Sequence, residues 1–380
     1  MLSHQKELFS LPDHITYLNG AYMAPQLKSV EQVGIENLKR KGLPYEIGPE
    51  DFFTKQKILK QRFAKLIDAE DYQNTAIIPS VSYGISTVAH NIRLNAGDEI
   101  ILVEEQFPSN VYPWQQIAEK YKAKITIVAP PKTLENRGKL WNQAILNAIN
   151  TKTAVVAMAH VHWADGTLFN LKEIRKKTNE VNALLVIDGT QSVGALPFSV
   201  KEIQPDALIC GGYKWLMGPY SLGMAYYSDT FNDGIPLEHN WMNRSNSEDF
   251  SQLTKYPETY QPKAGRYSVG ESSNFVLTPM LIKAIDQLLI WQPKQIQEYC
   301  AAISKDAIRQ LRAKGCFIED ENYSAMHLFG IYLNGAYELE VIKEKLIQEN
   351  IYVSYRGGAI RVSPHVYNTS ADFEKLLSCF

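Results

Sequence analysis

Short apolar runs alternate with helical patterns through the middle of the chain. Five runs have the composition of strands: Thr75–Pro79, Glu99–Glu104, Lys124–Ala129, Ala154–Val161 and Ala183–Asp188. These runs are continuously apolar rather than alternating, which is typical of parallel strands that are covered on both faces. Helix-like segments such as SYGISTVAHNI and LKEIRKKTNEV separate them. The pattern therefore predicts an α/β fold with a mainly parallel, doubly wound sheet.

The pattern changes after about residue 228. The stretch from Asp229 to Ser268 is polar and shows no periodicity, and long helical patterns follow from Pro279 to Lys314. Shorter strand candidates (FGIYLNG, NIYVSYR and AIRVS) then alternate with the helix-like YELEVIKEKLIQE. We expect a large domain over residues 15–275 and a smaller α+β domain over residues 276–380, packed with the N-terminal segment 1–14.

Composition and charge exclude several classes of protein. The 380 residues carry 39 Lys+Arg and 41 Asp+Glu, and 45% of them are hydrophobic. Nucleic-acid binding usually needs a basic excess, disorder needs lower hydrophobicity, and a membrane span needs roughly 20 apolar residues in a row. The N-terminus is polar and mixed in charge, unlike a signal peptide. The four scattered cysteines form no metal or disulfide pattern. We expect a cytoplasmic enzyme with neither a nucleic-acid nor a membrane partner.

The strongest candidate site lies where two apolar runs end. Asp188 ends the run VID, with Gln191 shortly after it, and Lys214 follows the run Ala207–Cys210 within a glycine-rich segment, CGGYKWLMGP. Taken singly, Asp188 could cap a turn and Lys214 could be a solvated surface residue. Together they suit pyridoxal 5′-phosphate (PLP), because its aldehyde needs a lysine and its pyridine nitrogen needs an anion.

Three motifs resemble those of the class V, fold-type I PLP enzymes. They are the Asp-x-x-Gln element, the later Gly-Tyr-Lys-Trp-Leu-x-Gly-Pro, and the opening YLNGAYMAP at Tyr17–Pro25. The resemblance extends from about Tyr17 to Asn368. The family includes cysteine desulfurases, kynureninases, isopenicillin-N-epimerase-like proteins and small-molecule aminotransferases. The resemblance implies a fold-type I PLP transferase with PLP as cofactor.

The resemblance also implies roles for the cofactor-binding residues. Lys214 would form a Schiff base with PLP and then move the proton between Cα and C4′. Asp188 would pair with the pyridinium nitrogen, and Gln191 would hydrogen-bond the phenolic oxygen of the ring. Val81 and Ser82 open a helix after a strand, where backbone N–H groups and a hydroxyl would cradle the phosphate.

Further pocket residues follow from the same resemblance. Tyr213 would donate to the phosphate, Phe107 would stack on the pyridine ring, and His162 would lie beside the cofactor. Trp163 stands where many relatives have Asn, so this chain departs from the family in its pocket wall.

The resemblance implies the substrate contacts as well. Arg361 would bind the α-carboxylate, with Arg356 as a nearby competitor, and Asn19 and Tyr22 would contact the substrate. The loop Gly270–Asn274 resembles one that reaches the phosphate of a partner subunit, which implies a homodimer with a shared active site.

Two other chemistries are weaker alternatives. His160 and His162 form a His-x-His that would share one face of a strand, but no third ligand is spaced to complete a metal site. A metal hydrolase therefore stays an alternative, and we expect no metal. No GxGxxG follows a strand, so a nicotinamide dehydrogenase is a poor fit.

The cysteine positions bear on the reaction. Desulfurases need a catalytic cysteine on a small-domain loop ahead of the carboxylate arginine, and the segment between Cys316 and Cys379 has none. We therefore expect an aminotransferase for a small amino acid. A PLP-dependent lyase or epimerase is the alternative, and a non-catalytic PLP-fold protein is a third possibility that the intact Asp188, Gln191 and Lys214 argue against.

Overall fold

The computed structural model describes residues 2–380 and contains twelve strands among them. In chain order they are β1 Thr16–Tyr17, β2 Thr75–Ile78, β3 Glu99–Val103, β4 Lys124–Val128, β5 Thr153–Ala159, β6 Leu184–Asp188, β7 Ala207–Gly211, β8 Gly223–Tyr227, β9 Phe329–Ile331, β10 Ile351–Tyr352, β11 Ser354–Arg356 and β12 Ala359–Val362. All five strands expected from the apolar runs are confirmed, each to within two residues at either end.

Eleven α-helices accompany these strands within residues 2–380. They are α1 Lys28–Lys41, α2 Asp51–Leu66, α3 Val81–Asn91, α4 Tyr112–Tyr121, α5 Arg137–Ala148, α6 Leu171–Glu180, α7 Val200–Ile203, α8 Leu277–Trp291, α9 Pro293–Ala313, α10 Leu339–Gln348 and α11 Ser370–Ser378. Between Asp229 and Ser268, where the sequence shows no periodicity, only four short 3-10 helices form. None of the described helices is long and apolar enough to cross a membrane.

A seven-stranded sheet forms the centre of the molecule, in the order β2-β8-β7-β6-β5-β3-β4. The pairs β4–β3, β3–β5, β5–β6 and β6–β7 are parallel, whereas β8 runs antiparallel to both β2 and β7. The α/β fold with a mainly parallel, doubly wound sheet is therefore confirmed. In such a sheet the carboxyl ends of the parallel strands meet along one edge, where ligands bind.

Helices cover both faces of this sheet. Along β3, Ile101 and Val103 pack into one core with α2, α5, α6 and α8, whereas Ile100 and Leu102 pack into the other with α3 and α4. Side chains alternate between the faces of a strand, so a strand with apolar residues at every position needs helices on both sides. This explains why the strand runs are continuously apolar in the sequence.

A second, three-stranded sheet, β11-β12-β9, carries its own apolar core with α9, α10 and α11. Near the N-terminus, β1 pairs with β10, and Phe9 packs against Trp291 and Tyr367. Helix α8 packs into the core of the large sheet. The division at residue 275, with residues 1–14 joined to the small domain, stays a prediction, and Met1 lies outside the described residues.

Candidate functional site

A cavity of about 410 Å³ opens at the carboxyl ends of β2, β3, β5, β6 and β7, a volume in the usual range for small-molecule sites. It contains every side chain that the sequence assigned to cofactor binding. Those residues are Val81, Ser82, Phe107, His162, Asp188, Gln191, Tyr213 and Lys214. The turns that follow five separate strands bring them together, as the strand order requires.

Lys214 lies in the turn after β7 and is 7% exposed. Its Nζ is 5.5 Å from the ring centroid of Phe107 and 5.6 Å from that of Tyr213. Among residues 2–380 the ammonium group has no hydrogen-bond or ion-pair partner. Burial and the charge of Arg361 lower the pKa of Lys214 to about 8, although Asp188 opposes the shift. An amine of this kind exchanges protons readily near neutral pH.

Asp188 ends β6 and is 7% exposed. Its Oδ1 accepts a hydrogen bond from the backbone N–H of Thr190 at 2.9 Å, and its Oδ2 has no partner within the described residues. Burial raises the pKa of the Asp188 carboxyl, while the contact with Thr190 and the charge of Lys214 act in the opposite direction. The free Oδ2 can therefore accept a hydrogen bond from a ligand in the cavity.

Gln191 is buried, and contacts on both sides orient its carboxamide. Its Nε2 donates to the carbonyl of Ala21 at 3.0 Å, and its Oε1 accepts from the indole N–H of Trp215 at 2.9 Å. A carboxamide has two N–H donors, so one remains for a ligand. The hydrogen bond from Gln191 to a phenolic oxygen stays a prediction, and this free donor is consistent with it.

The amino end of α3 supplies backbone donors to the cavity. Ser80 caps the helix by accepting from the N–H of Tyr83, and its hydroxyl lies 2.9 Å from the hydroxyl of Ser82. The N–H groups of Val81 and Ser82, in the first turn of α3, have no acceptor among residues 2–380. Free donors at the positive end of a helix form an anion site.

Two glycines before Tyr213 shape the approach to the lysine. A Cβ on Gly212 would lie 2.3 Å from the carbonyl oxygen of Leu222, so any side chain there would force the backbone apart. A Cβ on Gly211 would meet Thr190 at 3.3 Å. The Gly-Gly pair therefore allows close packing directly beside Lys214.

Aromatic rings line the mouth of the cavity. Phe107 meets Trp163 edge-on at 5.6 Å, and the indole N–H of Trp163 donates to the carbonyl of Glu105. Tyr213 packs against Tyr220 at 4.7 Å. Sequence reasoning missed Tyr220, although it directly follows the Gly-Pro of the lysine motif.

Thr190 and Gln106 are further residues of the cavity wall that sequence reasoning missed. The Oε1 of Gln106 is buried without a partner within the described residues. The signal for Thr190 was its place within the Asp-x-x-Gln element, whereas nothing in the sequence distinguished Gln106.

The prediction that His160 and His162 lie on a strand is wrong, because β5 ends at Ala159. His162 lines the cavity, with its Nδ1 3.3 Å from a carboxylate oxygen of Asp165 and its Nε2 3.3 Å from the carbonyl oxygen of Glu104. His160 instead lines a different cavity. Among residues 2–380 no three His, Cys, Asp or Glu side chains are grouped to hold a metal ion.

Arg361 lies on β12 and is 2% exposed. Its Nη1 donates to the carbonyl of Trp163 at 2.8 Å and its Nη2 to the hydroxyl of Ser354 at 3.2 Å. Its Nε has no partner, and no carboxylate of the described residues lies within 4.0 Å. Burial and the charge of Arg356 lower the pKa of Arg361 to about 10. A buried cation without an anion is suited to binding a carboxylate.

Arg361 and the other predicted substrate contacts lie outside the cavity lining. Asn19 accepts from the hydroxyl of Ser354, the residue that also contacts Arg361, so it lies within one hydrogen bond of the guanidinium. Tyr22 is 57% exposed. In the loop Gly270–Asn274, Ser272 is buried and donates to Gln56. That the loop reaches a partner subunit stays a prediction.

Comparison with known protein families gives a match over most of the chain. The family model described as "Aminotransferase class-V" matches residues 50–376. The uncharacterized aminotransferase YcbU of Bacillus subtilis is 25% identical over 325 residues, which cover 85% of this chain and 82% of that protein. A probable cysteine desulfurase of Methanothermobacter thermautotrophicus is 22% identical over 336 residues, which cover 83% and 80%.

Solved structures share the fold at lower identity. Apo cysteine desulfurase of Thermococcus onnurineus superposes with a TM-score of 0.83 at 19% identity, covering 100% of this chain and 97% of that one. The cystine C-S lyase C-DES, in complex with its product cysteine persulfide, gives 0.84 at 20% identity, covering 96% and 97%. At this level of identity, the similarity shows that this chain shares the fold of these proteins.

Proposed function

Because this chain belongs to the class-V aminotransferase family, we propose that it is an aminotransferase for a small amino acid. Its fold is that of the fold-type I enzymes, and its cofactor is pyridoxal 5′-phosphate. One observation carries the proposal: a buried, unpartnered lysine amine and the unpartnered oxygen of a buried aspartate face the same cavity.

The residues present fit each part of the cofactor. The free N–H groups of Val81 and Ser82 suit the phosphate, and the free Oδ2 of Asp188 suits the protonated pyridine nitrogen. The spare N–H of Gln191 suits the phenolic oxygen. When bound, the ring acts as an electron sink for charge that develops at the substrate Cα.

The chain itself supplies binding, orientation and proton transfer. Arg361 would hold the α-carboxylate of the substrate by its guanidinium fork, which fixes how the Cα bonds are oriented. The Nζ of Lys214 would accept the Cα proton and return it to the product, which a pKa of about 8 permits. Phe107 and Trp163 would limit the access of water to that proton.

Sulfur transfer is not favoured, although relatives are named cysteine desulfurases. All four cysteines, Cys210, Cys300, Cys316 and Cys379, are buried. The connection between β11 and β12, just ahead of Arg361, is the two-residue turn Gly357–Gly358. Persulfide chemistry needs an accessible thiolate, and this turn has no room for a mobile cysteine loop.

Thiol labelling tests this point. In the native holoprotein we expect all four cysteines to stay unlabelled by Ellman's reagent over a period in which the protein unfolded in guanidinium reacts fully, because burial also raises the pKa of each thiol. A native thiol that reacts as fast as free cysteine, or formation of a protein persulfide on incubation with cysteine, would contradict the exclusion of sulfur transfer.

An amino-donor screen tests the reaction type. Holoprotein is mixed with single amino acids without a keto-acid acceptor, and keto acid and ammonia are quantified. An aminotransferase releases at most one keto acid per site and no ammonia, and it turns over only after a second keto acid is added. Continuous release of ammonia would instead indicate elimination, and racemised substrate would indicate epimerisation. Either result would overturn the aminotransferase proposal.

We further propose that the enzyme is a cytoplasmic homodimer in which the loop Gly270–Asn274 reaches the phosphate of the partner subunit. The support is the resemblance of this loop to one that reaches a partner subunit. Within this chain, the backbone N–H of Gly270 donates to Glu238 and Ser272 donates to Gln56, which fix the position of the loop. A monomeric mass for the active holoprotein in light scattering would contradict this assembly.

A further inference from the structure

Two arginines lie on one face of the small sheet. In the β11–β12 ladder, Ser354 is opposite Arg361 and Arg356 is opposite Ala359. Residues directly opposite each other point to the same side, and so do residues two apart on one strand. Arg356 and Arg361 are therefore diagonal neighbours on one face, about 7–8 Å apart at the backbone.

Arg356, like Arg361, has no carboxylate partner. Its Nη1 donates to the carbonyl of the adjacent Tyr355, and its guanidinium carbon lies 5.7 Å from the ring of Trp163. No carboxylate of residues 2–380 comes within 4.0 Å of either guanidinium. Glu105 lies near the turn at Gly357 but forms no ion pair with Arg356.

The charge of Arg356 acts within the active site. Its guanidinium carbon lies 5.7 Å from the ring of Trp163, which lines the cavity and whose carbonyl accepts a hydrogen bond from Arg361. From this position its charge lowers the pKa of Arg361 and that of Lys214. The site therefore contains three neighbouring cations, Arg356, Arg361 and Lys214. The acidic group that acts on Lys214 is Asp188. Partly buried cations in such a cluster are destabilised unless anions join them.

Trp163 gives Arg356 a defined position. The guanidinium lies over the indole, whose N–H is anchored to Glu105, and the indole lines the cavity. A guanidinium over an aromatic ring is held in place by the ring while its N–H groups stay free for a ligand. Trp163 stands where many members of the resembled family have Asn, and an Asn would offer Arg356 no aromatic ring to lie over.

We propose that the substrate is a dicarboxylic amino acid, with its α-carboxylate on Arg361 and its side-chain carboxylate on Arg356. This inference rests on the proposed function, since it names the substrate class of the same site. The α-carboxylate of the substrate can neutralise Arg361. The side-chain carboxylate of a molecule the size of aspartate or glutamate can then neutralise Arg356. The Arg356–Trp163 pair then sets the specificity.

Binding of unreactive acids tests the proposal without relying on turnover. Calorimetry compares glutarate with butyrate on the wild-type holoprotein and on Arg356→Ala, Arg356→Lys and Arg309→Ala. Arg309 is an exposed arginine on α9 and serves as the matched control. We expect Arg356→Ala to weaken glutarate binding about 10- to 100-fold and to leave butyrate binding unchanged, because a hydrogen bond to a charged group contributes about 1.5–3 kcal/mol. Arg356→Lys should recover part of the loss.

Other outcomes overturn the proposal. Glutarate that binds wild-type protein no more tightly than butyrate excludes a second carboxylate site. Equal weakening of both acids by Arg356→Ala places the α-carboxylate on Arg356 instead. The proposed function can fail separately: if no amino acid yields keto acid but the glutarate preference holds, the dicarboxylate site stands and the aminotransferase assignment falls. If neutral amino acids alone are transaminated, the aminotransferase assignment stands and the dicarboxylate site falls.

Discussion

Replacement of Lys214 by alanine is expected to lower the rate of amino-acid turnover by about 10²- to 10⁴-fold, the usual contribution of a positioned acid–base group. The side chain is buried in the cavity without a partner, and the described residues that line the cavity include no second lysine whose amine could replace it. The measurement is keto-acid release under single-turnover conditions with the cofactor added in excess.

The matched control for this change is Lys176→Ala, an exposed lysine on α6, which should retain wild-type turnover. Full activity in Lys214→Ala would contradict the assignment. The pH dependence gives a second readout. Because burial lowers the pKa of Lys214 to about 8 and the neutral amine is the nucleophile, cofactor attachment to the apoprotein should accelerate as the pH rises through about 8. An ordinary lysine would give a midpoint near 10.4.

Replacement of Asp188 by asparagine is expected to raise the free energy of the reaction barrier by about 3–5 kcal/mol, which lowers turnover roughly 10²- to 10⁴-fold, and to weaken cofactor binding. Burial already raises the pKa of the Asp188 carboxyl, and a cationic ligand against Oδ2 would favour its charged form again. Asparagine keeps the shape and the contact with Thr190 but carries no charge, so it cannot hold a proton on the ring nitrogen.

The measurements for this variant are the cofactor dissociation constant and single-turnover keto-acid release. Asp306→Asn, an exposed aspartate on α9, is the matched control and should behave like the wild type. Unchanged cofactor affinity together with unchanged turnover in Asp188→Asn would show that this carboxylate does not contact the ring.

Much of the site could be predicted because it depends on local sequence order. Asp188 and Lys214 each follow a buried strand, and parallel strands place their carboxyl ends at one edge of the sheet. The order of the sequence therefore brings them together without knowledge of side-chain packing. The cap at Ser80 could likewise be predicted, because a polar residue before a helical pattern opens a helix.

Other features depend on pairing between segments that are far apart in the chain. Which of these segments pair cannot be predicted from the local pattern of a single sequence. Strand β8 has no β-branched residue, so its composition gives only a weak strand signal. It runs antiparallel between β2 and β7, and its pairing with β2 joins residues about 150 positions apart in the chain. Helices α1 and α2 lay outside the alternating segments and were not anticipated. The face shared by Arg356 and Arg361 follows from the register of a two-residue hairpin.

Reduction of the holoprotein with borohydride, followed by peptide mapping, tests the central claim most directly. A second lysine, Lys60, makes the test demanding, because burial lowers its pKa to about 8 as well. Lys60 lines a different cavity, which does not contain Asp188. We predict that the cofactor mass is found on the peptide that contains Lys214 and on no other. Cofactor mass on Lys60, or a reducible linkage that persists in Lys214→Ala, would contradict the account.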